Sequence, residues 1–329
     1  MSNSLRPMVT VMFSLSLALC LTSCGTPPSS ETPVAPAEPA EPVKAIRVSG
    51  AWALYPLMLR WAEKYQRLHP EIHVGVWSGG TDKGIRDVRE EVVDIGMVSF
   101  PIETAEDVHN MFWVPVARDA VVVVANAGNP VAAELADRGL KENHLAALWL
   151  AEAAVTWGSL VSKPAITSEV RVYTRSDFCG TAEAWAQCLG RHQEDLKGTR
   201  VLGEPAMVAA VQGNPLGIGF GNLSSVYSID TGLPAAGLMA VPLDHDGDGR
   251  ITDAESFYAT HDAMKRAIAD GLYPCPPARD LSLVTKGEPE GLAREFLLWI
   301  LTDGQEYVAE GGCVMLPEER LNAAVEKLG

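Results

Sequence analysis

VPVARDAVVVVAN (114–126) is the stretch on which the fold turns. It reads as one long apolar strand, longer than the strand–helix units before it require, and this length predicts a crossing between two lobes. Before it the pattern alternates. AIRVSG (45–50) reads as a strand. LYPLMLRWAEKYQRLH (54–69) reads as a helix, with Leu54, Leu57, Leu59, Trp61 and Tyr65 at helical spacing. IHVGVW (72–77) is a strand, TDKGIRDVREE (81–91) a short helix, and VVDIGMVSF (92–100) a continuous apolar strand, which together give a parallel α/β unit with helices on both sheet faces. After it, NPVAAELADRGLKENHLAALWLAEAAV (129–155) is helical with a break near Gly139. EVRVYTRSD (169–177), the helix TAEAWAQCLG (181–190), GIGFGNLSSVYS (217–228) and GLMAVPLD (237–244) form a second α/β lobe. DLSLVTKG (280–287) returns as a strand, and GLAREFLLWILTDGQEYVAEGG (291–312) is an amphipathic helix that closes the first lobe. Two α/β lobes joined by two crossovers place a cleft between them, at the carboxyl ends of strands and beside helix N-termini.

The chain has 329 residues, 47% of them hydrophobic and 21% charged, enough for two cores. A net charge of −16 argues against a nucleic-acid partner, which demands clustered Lys and Arg. At the N-terminus a short basic region with Arg6 precedes the apolar run MVTVMFSLSLALCLT (8–22), too short for a comfortable membrane span. It ends in Leu21-Thr22-Ser23-Cys24, which resembles the lipobox of bacterial lipoproteins, so residues 1–24 are expected to be a signal ending at a lipidated Cys24. Gly25 in place of Asp carries no signal for inner-membrane retention. Residues 25–44 read as a Pro/Ala/Glu-rich tether. The expected lobes are 45–127 with 276–329, and 128–275. Cys179, Cys188, Cys275 and Cys313 remain for an oxidising compartment, with connectivity open.

Four strand-to-helix turns carry donors: Ser49 to Ala53, Ser78 to Thr81, Ser99, and Arg175 to Thr181. Each offers backbone N–H groups, a hydroxyl or thiol, or a positive charge. A tetrahedral oxyanion needs such converging donors, with glycines where the backbone must approach it. Cys179 has two readings, a nucleophile activated by a helix N-terminus or one wall of an anion cup. His69, His73, His109, His144, His192, His245 and His261 are scattered, are expected on the surface or in loops, and offer Cys179 no catalytic context, so the chain is expected not to be an enzyme.

SGAWALYPLMLRWAEKY (49–65), SGGTDKGI (78–85), VVDIGMVSF, RSDFCGT (175–181), GIGFGNLSSVY, YPCPPARDLSLVTKG (273–287) and FLLWILTDGQEYVAEGG (296–312) together resemble the phosphate-binding proteins of phosphate ABC transporters, from about residue 45 to the end. The resemblance implies the two-lobed periplasmic binding protein fold, a phosphate ion dehydrated in the cleft, and delivery to ABC permease subunits by an envelope protein that acts as a monomer. It maps phosphate contacts onto Thr81, Ser99, Arg175, Cys179, Gly180 and Thr181, and onto the backbone of Ala53, where this chain has Trp52 and Ala53 in place of hydroxyl residues. Ser99 stands where some members carry an Asp that accepts the phosphate proton. Discrimination from sulfate requires such an acceptor, and Asp177 and Asp119 are the candidates, ahead of Asp82. Trp52 lies at the cleft mouth, either shielding the anion or packing under the first helix. A disulfide between Cys275 and Cys313 is expected, since both depart from residues common in relatives. An oxyanion sensor or scavenger without a transporter, or a binder of another oxyanion, remains open.

LDHDGDGRITDAESF (243–257) matches the EF-hand pattern D-x-D-x-D-G-x5-E. Asp244, Asp246, Asp248, the Arg250 carbonyl and Glu255 are the expected Ca2+ ligands, Gly249 makes the turn, and Ile251 packs inward. A strand-like segment precedes the loop, so it is expected to stand alone and to hold Ca2+ structurally.

Overall fold

The computed structural model describes residues 44–100, 110–273 and 279–329. Cys24, the signal and all of the tether but Lys44 lie outside them, as do His109 and Cys275. Lobe 1 begins with β1 (Lys44–Gly50), α1 (Tyr55–Leu68), β2 (Ile72–Ser78), α2 (Thr81–Arg89), β3 (Ile95–Val98) and β4 (Phe112–Asp119). Lobe 2 holds β5 (Val121–Asn126), α3 (Ala132–Arg138), α4 (Glu142–Trp149), α5 (Trp157–Leu160), β6 (Arg171–Arg175) and α6 (Gly180–Cys188). It continues through β7 (Thr199–Val201), α7 (Gly203–Gln212), β8 (Gly217–Asn222), α8 (Leu223–Val226), β9 (Leu238–Ala240) and α9 (His261–Ala269). The chain returns to lobe 1 for β10 (Arg279–Thr285), α10 (Gly291–Leu301) and α11 (Glu318–Leu328). The strand orders are β2-β1-β3-β10-β4 in lobe 1 and β7-β6-β8-β5-β9 in lobe 2.

The stretch 114–126 is two strands, not one. Asp119 ends the lobe 1 ladder opposite Arg279, and Val121 starts the lobe 2 ladder opposite Asn222. The backbone changes sheets at Ala120, so lobe 1 does not run to residue 127; β5 belongs wholly to lobe 2. All six residues of β5 are buried, as befits an inner strand between β8 and β9. The sheets are mixed, not purely parallel. β10 runs antiparallel to β3 and β4, and β5 antiparallel to β8 and β9, because the crossing strands enter each sheet from the other lobe.

Helical spacing sets the core of lobe 1. Leu57, Met58, Trp61, Ala62 and Tyr65 of α1 form one buried stripe, and the Trp61 indole donates to the Gly304 carbonyl at 2.7 Å. The helix expected over 291–312 stops at Leu301. There the Thr302 hydroxyl turns back to the Leu298 carbonyl at 2.8 Å, and a 3-10 turn over Asp303–Tyr307 follows. In lobe 2 the break near Gly139 is real, with φ at 63° where α3 ends.

Cys188 is disulfide-bonded. Cys313 is free and enclosed in the lobe 1 core, so the expected Cys275–Cys313 bond is not formed. His261 is not a surface residue. It is 3% exposed, stacked on Tyr227 and within 3.2 Å of the Gly312 carbonyl. No described helix is long and apolar enough to cross a membrane.

Candidate functional site

The donor turns of both lobes meet. In lobe 1, β1, β2 and β3 are neighbours, so their carboxyl ends lie side by side. The N–H groups of Gly79 and Gly80 both donate to the Gly50 carbonyl at 3.0 Å, and Ala51 N–H donates to Met97. Gly80 (φ 92°) turns the chain into α2, and Thr81, fully buried at its start, places Oγ1 3.2 Å from Ser99 Oγ. Ser99 N–H also donates to Thr81 Oγ1 at 3.2 Å. The Ala53 methyl belongs to the lobe 1 core, so only its backbone is left to offer.

Lobe 2 faces this layer through the start of α6. A Cβ added at Gly180 would lie 2.1 Å from the Ser99 carbonyl oxygen and 2.6 Å from Ser99 Oγ. A Cβ at Gly80 would meet the Phe178 carbonyl at 3.6 Å and Asp177 Oδ2 at 3.8 Å. Glycine is what lets the two backbones approach so closely. Trp52 is half-buried at this seam, its ring 3.3 Å from where a Cβ of Gly203 would lie. It therefore reaches across to lobe 2 instead of packing under α1.

Arg175, at the end of β6, is fully buried. Its Nε donates to Asp177 Oδ1 at 2.9 Å and its Nη1 to Glu204 Oε2 at 2.7 Å, and Nη2 pairs with Asp177 Oδ2. Burial works against this charge, but the Cys179 sulfur, an anion by the pH at which a guanidinium titrates, and the two carboxylates outweigh it and raise the guanidinium above its ordinary value. Burial also opposes ionisation of Asp177, yet the Arg175 fork and the Gly203 N–H hold it below the usual carboxylate range. Thr181 is buried and donates to Asn222 Oδ1 at 2.8 Å. Asp119 does not face the cup; it accepts from Leu223 N–H at 3.2 Å and from Arg279 Nη2 at 3.2 Å. Burial pushes both Glu204 and Asp119 up, against the pull of Arg175 and Arg279.

Cys179 is the N-cap of α6, its sulfur accepting from Ala182 N–H at 3.5 Å and its own N–H donating to Gln193 Oε1 at 3.0 Å. Burial pushes the thiol up to about 11 despite the neighbouring Arg175 charge. No described histidine is hydrogen-bonded to it. A protonated, enclosed thiol without a base is not a poised nucleophile.

Glu204, Asn222 and Arg279 were not among the expected site residues. Asn222 and Arg279 do lie in the segments GIGFGNLSSVY and YPCPPARDLSLVTKG that carry the family resemblance. Glu204, beside Pro205 in the first turn of α7, gives only the signal of one acid in a largely apolar helix.

The calcium-loop motif closes on itself. Carboxylate oxygens of Asp244, Asp246 and Glu255 lie within 4.8 Å of one another. Asp244 accepts from Gly247 and Gly249 N–H at 2.8 Å, with φ at 77° and 87° in these glycines. Glu255 accepts from His245 and Thr252. Asp248 accepts from the Arg250 N–H at 2.8 Å and stands outside the three-carboxylate group. Ile251 packs on Gly139, pinning the loop to the α3–α4 turn. This donor set fits a hard cation with oxygen ligands.

Residues 35–304 match the model of the PBP superfamily domain. The chain belongs to the PBP superfamily. It is similar to the phosphate-binding protein PstS of Pseudomonas aeruginosa, 24% identical over 304 residues and 85% of each chain. It is similar to PstS of Methanocaldococcus jannaschii, 26% identical over 83% of each. PstS 2 of Streptococcus pneumoniae is 35% identical over 96 residues, and that match spans 33% of its length and 28% of this chain. Among solved structures, a Clostridium perfringens protein described as a candidate phosphate ABC transporter substrate-binding protein, with phosphate bound, superposes with a TM-score of 0.66 at 21% identity, over 83% of this chain and all of that one. An ABC-type phosphate transport receptor from Vibrio cholerae superposes with a TM-score of 0.58 at 21% identity, over 83% of this chain and 100% of the other. These superpositions identify the two-lobed fold of the PBP superfamily.

Proposed function

We propose that this chain captures inorganic phosphate between its lobes and delivers it to the permease of an ABC transporter, as a lipid-anchored monomer of the cell envelope. The observation that carries the reading is the meeting of Thr81 and Ser99 with Gly180 across the seam, beside the buried Arg175. Two hydroxyls and the start of α6 meet at the seam, with a guanidinium anchored nearby by Asp177 and Glu204, and a dehydrated oxyanion requires donors of these kinds. The names of the relatives support phosphate as that oxyanion. Asp177 is the acceptor for the phosphate proton: its Oδ2 faces Gly80 across the seam, whereas Asp119 sits behind Arg279. Titration calorimetry with phosphate, sulfate, arsenate and molybdate tests this. Phosphate is expected to bind and sulfate not; equal binding of both makes the chain a general oxyanion receptor and removes the role of Asp177.

The loop 244–255 holds a structural Ca2+ through Asp244, Asp246, Glu255 and the Arg250 carbonyl, with Asp248 joining on binding. The full motif and the three converging carboxylates support this. Calorimetry is expected to show Ca2+ binding that Glu255→Gln abolishes, and no heat at millimolar Ca2+ rejects it.

A further inference from the structure

Arg279 opens β10, the strand that brings the chain back to lobe 1, and is 6% exposed. Its Nη2 contacts three oxygens: Asn222 Oδ1 at 2.6 Å, Thr181 Oγ1 at 3.2 Å and Asp119 Oδ2 at 3.2 Å. Asp119 ends the first crossover and Arg279 begins the strand after the second, and the two are cross-strand partners. A single guanidinium nitrogen thus ties both crossovers to the hydroxyl at the start of α6. Nε and Nη1 of Arg279, and Nδ2 of Asn222, are buried and have no hydrogen-bond partner among the described residues. Such buried orphan donors are costly, so a buried ion pair kept merely for stability is a poor account of this residue.

The geometry points to Arg279 as a positioning residue of the anion cup, one that frees the Thr181 hydroxyl proton for the ligand. This rests on the reading of Thr181 as a phosphate donor. The Thr181 proton is given to Asn222 Oδ1 at 2.8 Å. To donate to an anion, the hydroxyl must withdraw it. Asn222 Oδ1 is not then left unsatisfied, because Arg279 Nη2 already donates to it at 2.6 Å. The same nitrogen donates to a Thr181 lone pair, which polarises the O–H and makes it a better donor. With Arg279 gone, Thr181 is the only side-chain donor to Asn222 Oδ1 among the described residues, and the anion must compete with a buried amide oxygen for the proton.

The test is a double-mutant cycle read by phosphate calorimetry. Arg279→Met is made together with Asp119→Asn, so that no buried carboxylate is stranded. This change is expected to raise Kd about tenfold with Thr181 present and less than about twofold in a Thr181→Val background. Equal effects in both backgrounds overturn the inference, since a purely structural role weakens binding whether or not Thr181 keeps its hydroxyl. If the paired variant fails to fold, Arg279→Lys in the same cycle is decided by the same rule, coupling to Thr181→Val supporting the inference and additivity overturning it. A wild-type chain that binds no phosphate overturns the proposed function, and this inference with it. A wild type that binds phosphate beside an Arg279 variant that binds equally well overturns this inference alone.

Discussion

The two walls of the seam are built differently. Lobe 1 contributes neutral groups, the hydroxyls of Thr81 and Ser99 and the glycine backbone before α2. Lobe 2 contributes charge, Arg175 held between Asp177 and Glu204, and behind it lies the Arg279–Asp119 pair at the lobe 2 end of the lobe 1 strands β10 and β4. Counting both groups, two guanidiniums (Arg175, Arg279) stand beside three carboxylates (Asp177, Glu204, Asp119), so the seam has no excess of positive charge. On the proposed function, oriented N–H and O–H dipoles, more than net charge, would hold an anion there. The Arg175 cluster is also fixed within lobe 2 by its own hydrogen bonds, whereas the neutral wall meets lobe 2 only at the seam. Changes in lobe 2 should therefore act on affinity and stability together, and changes at the seam on closure.

The largest effect is expected from Arg175→Met. It removes the cup's central charge and strands Asp177 and Glu204, with the Glu204 side chain 4% exposed. Loss of one partner from a buried ionic group costs on the order of 3–5 kcal/mol, so thermal melts should show a large drop along with loss of phosphate binding. Adding Glu204→Gln should return part of the stability but none of the binding. A variant that melts like wild type and still binds phosphate would erase the distinction between the two walls.

Gly180→Ala comes next and probes the seam. Its methyl would sit 2.1 Å from the Ser99 carbonyl oxygen, a backbone atom that cannot step aside. Lobe 2 has no reason to unfold, because Ala is at least as good in a helix as Gly. The expected result is a nearly wild-type melt, phosphate affinity lower by about a hundredfold as closure is blocked, and a larger radius of gyration by solution scattering. Unaltered affinity would mean that the lobes need not close this far to hold the ligand.

Much of this asymmetry is legible in the sequence. The strand-to-helix turns announce themselves because glycines and hydroxyl residues at strand ends have a local cause, and Thr81, Ser99, Gly180 and Thr181 all reach the seam, with Arg175 one residue behind it on Asp177. The position of the crossing at Ala120 is not legible, since β4 and β5 are both apolar and only the change of ladder partner separates them. Glu204, Asn222 and Arg279 escape for a related reason. Each is defined by a partner far along the chain, such as Arg279 by Thr181, and no local periodicity encodes that meeting. The disulfide expectation failed on the same ground: whether Cys313 has a sulfur neighbour depends on the core that encloses it.

The smallest effect separates a cup from a catalytic centre within the charged wall itself. Cys179→Ser replaces one N-cap with a better one and a weak S–H donor with a stronger O–H. Phosphate affinity should stay within about threefold of wild type or tighten, where a nucleophile would lose its function. The thiol also leaves a mark on stability. An unfolded cysteine gives up its proton near about 8.5, whereas burial holds Cys179 protonated up to about 11. Between those values the unfolded chain has lost a proton that the folded chain keeps, so this residue's contribution to stability falls as pH rises through the window. Cys313, also pushed up by burial, adds a slope of the same sign. Denaturant melts from pH 8 to 10 should therefore steepen their loss of stability in wild type, and Cys179→Ser should remove its share while leaving that of Cys313. An unchanged slope in the variant would mean that folding does not raise the thiol above its unfolded value, and a steeper loss in the variant that the thiol is already ionised in the folded chain; either would reopen the reading of Cys179 as a reactive group.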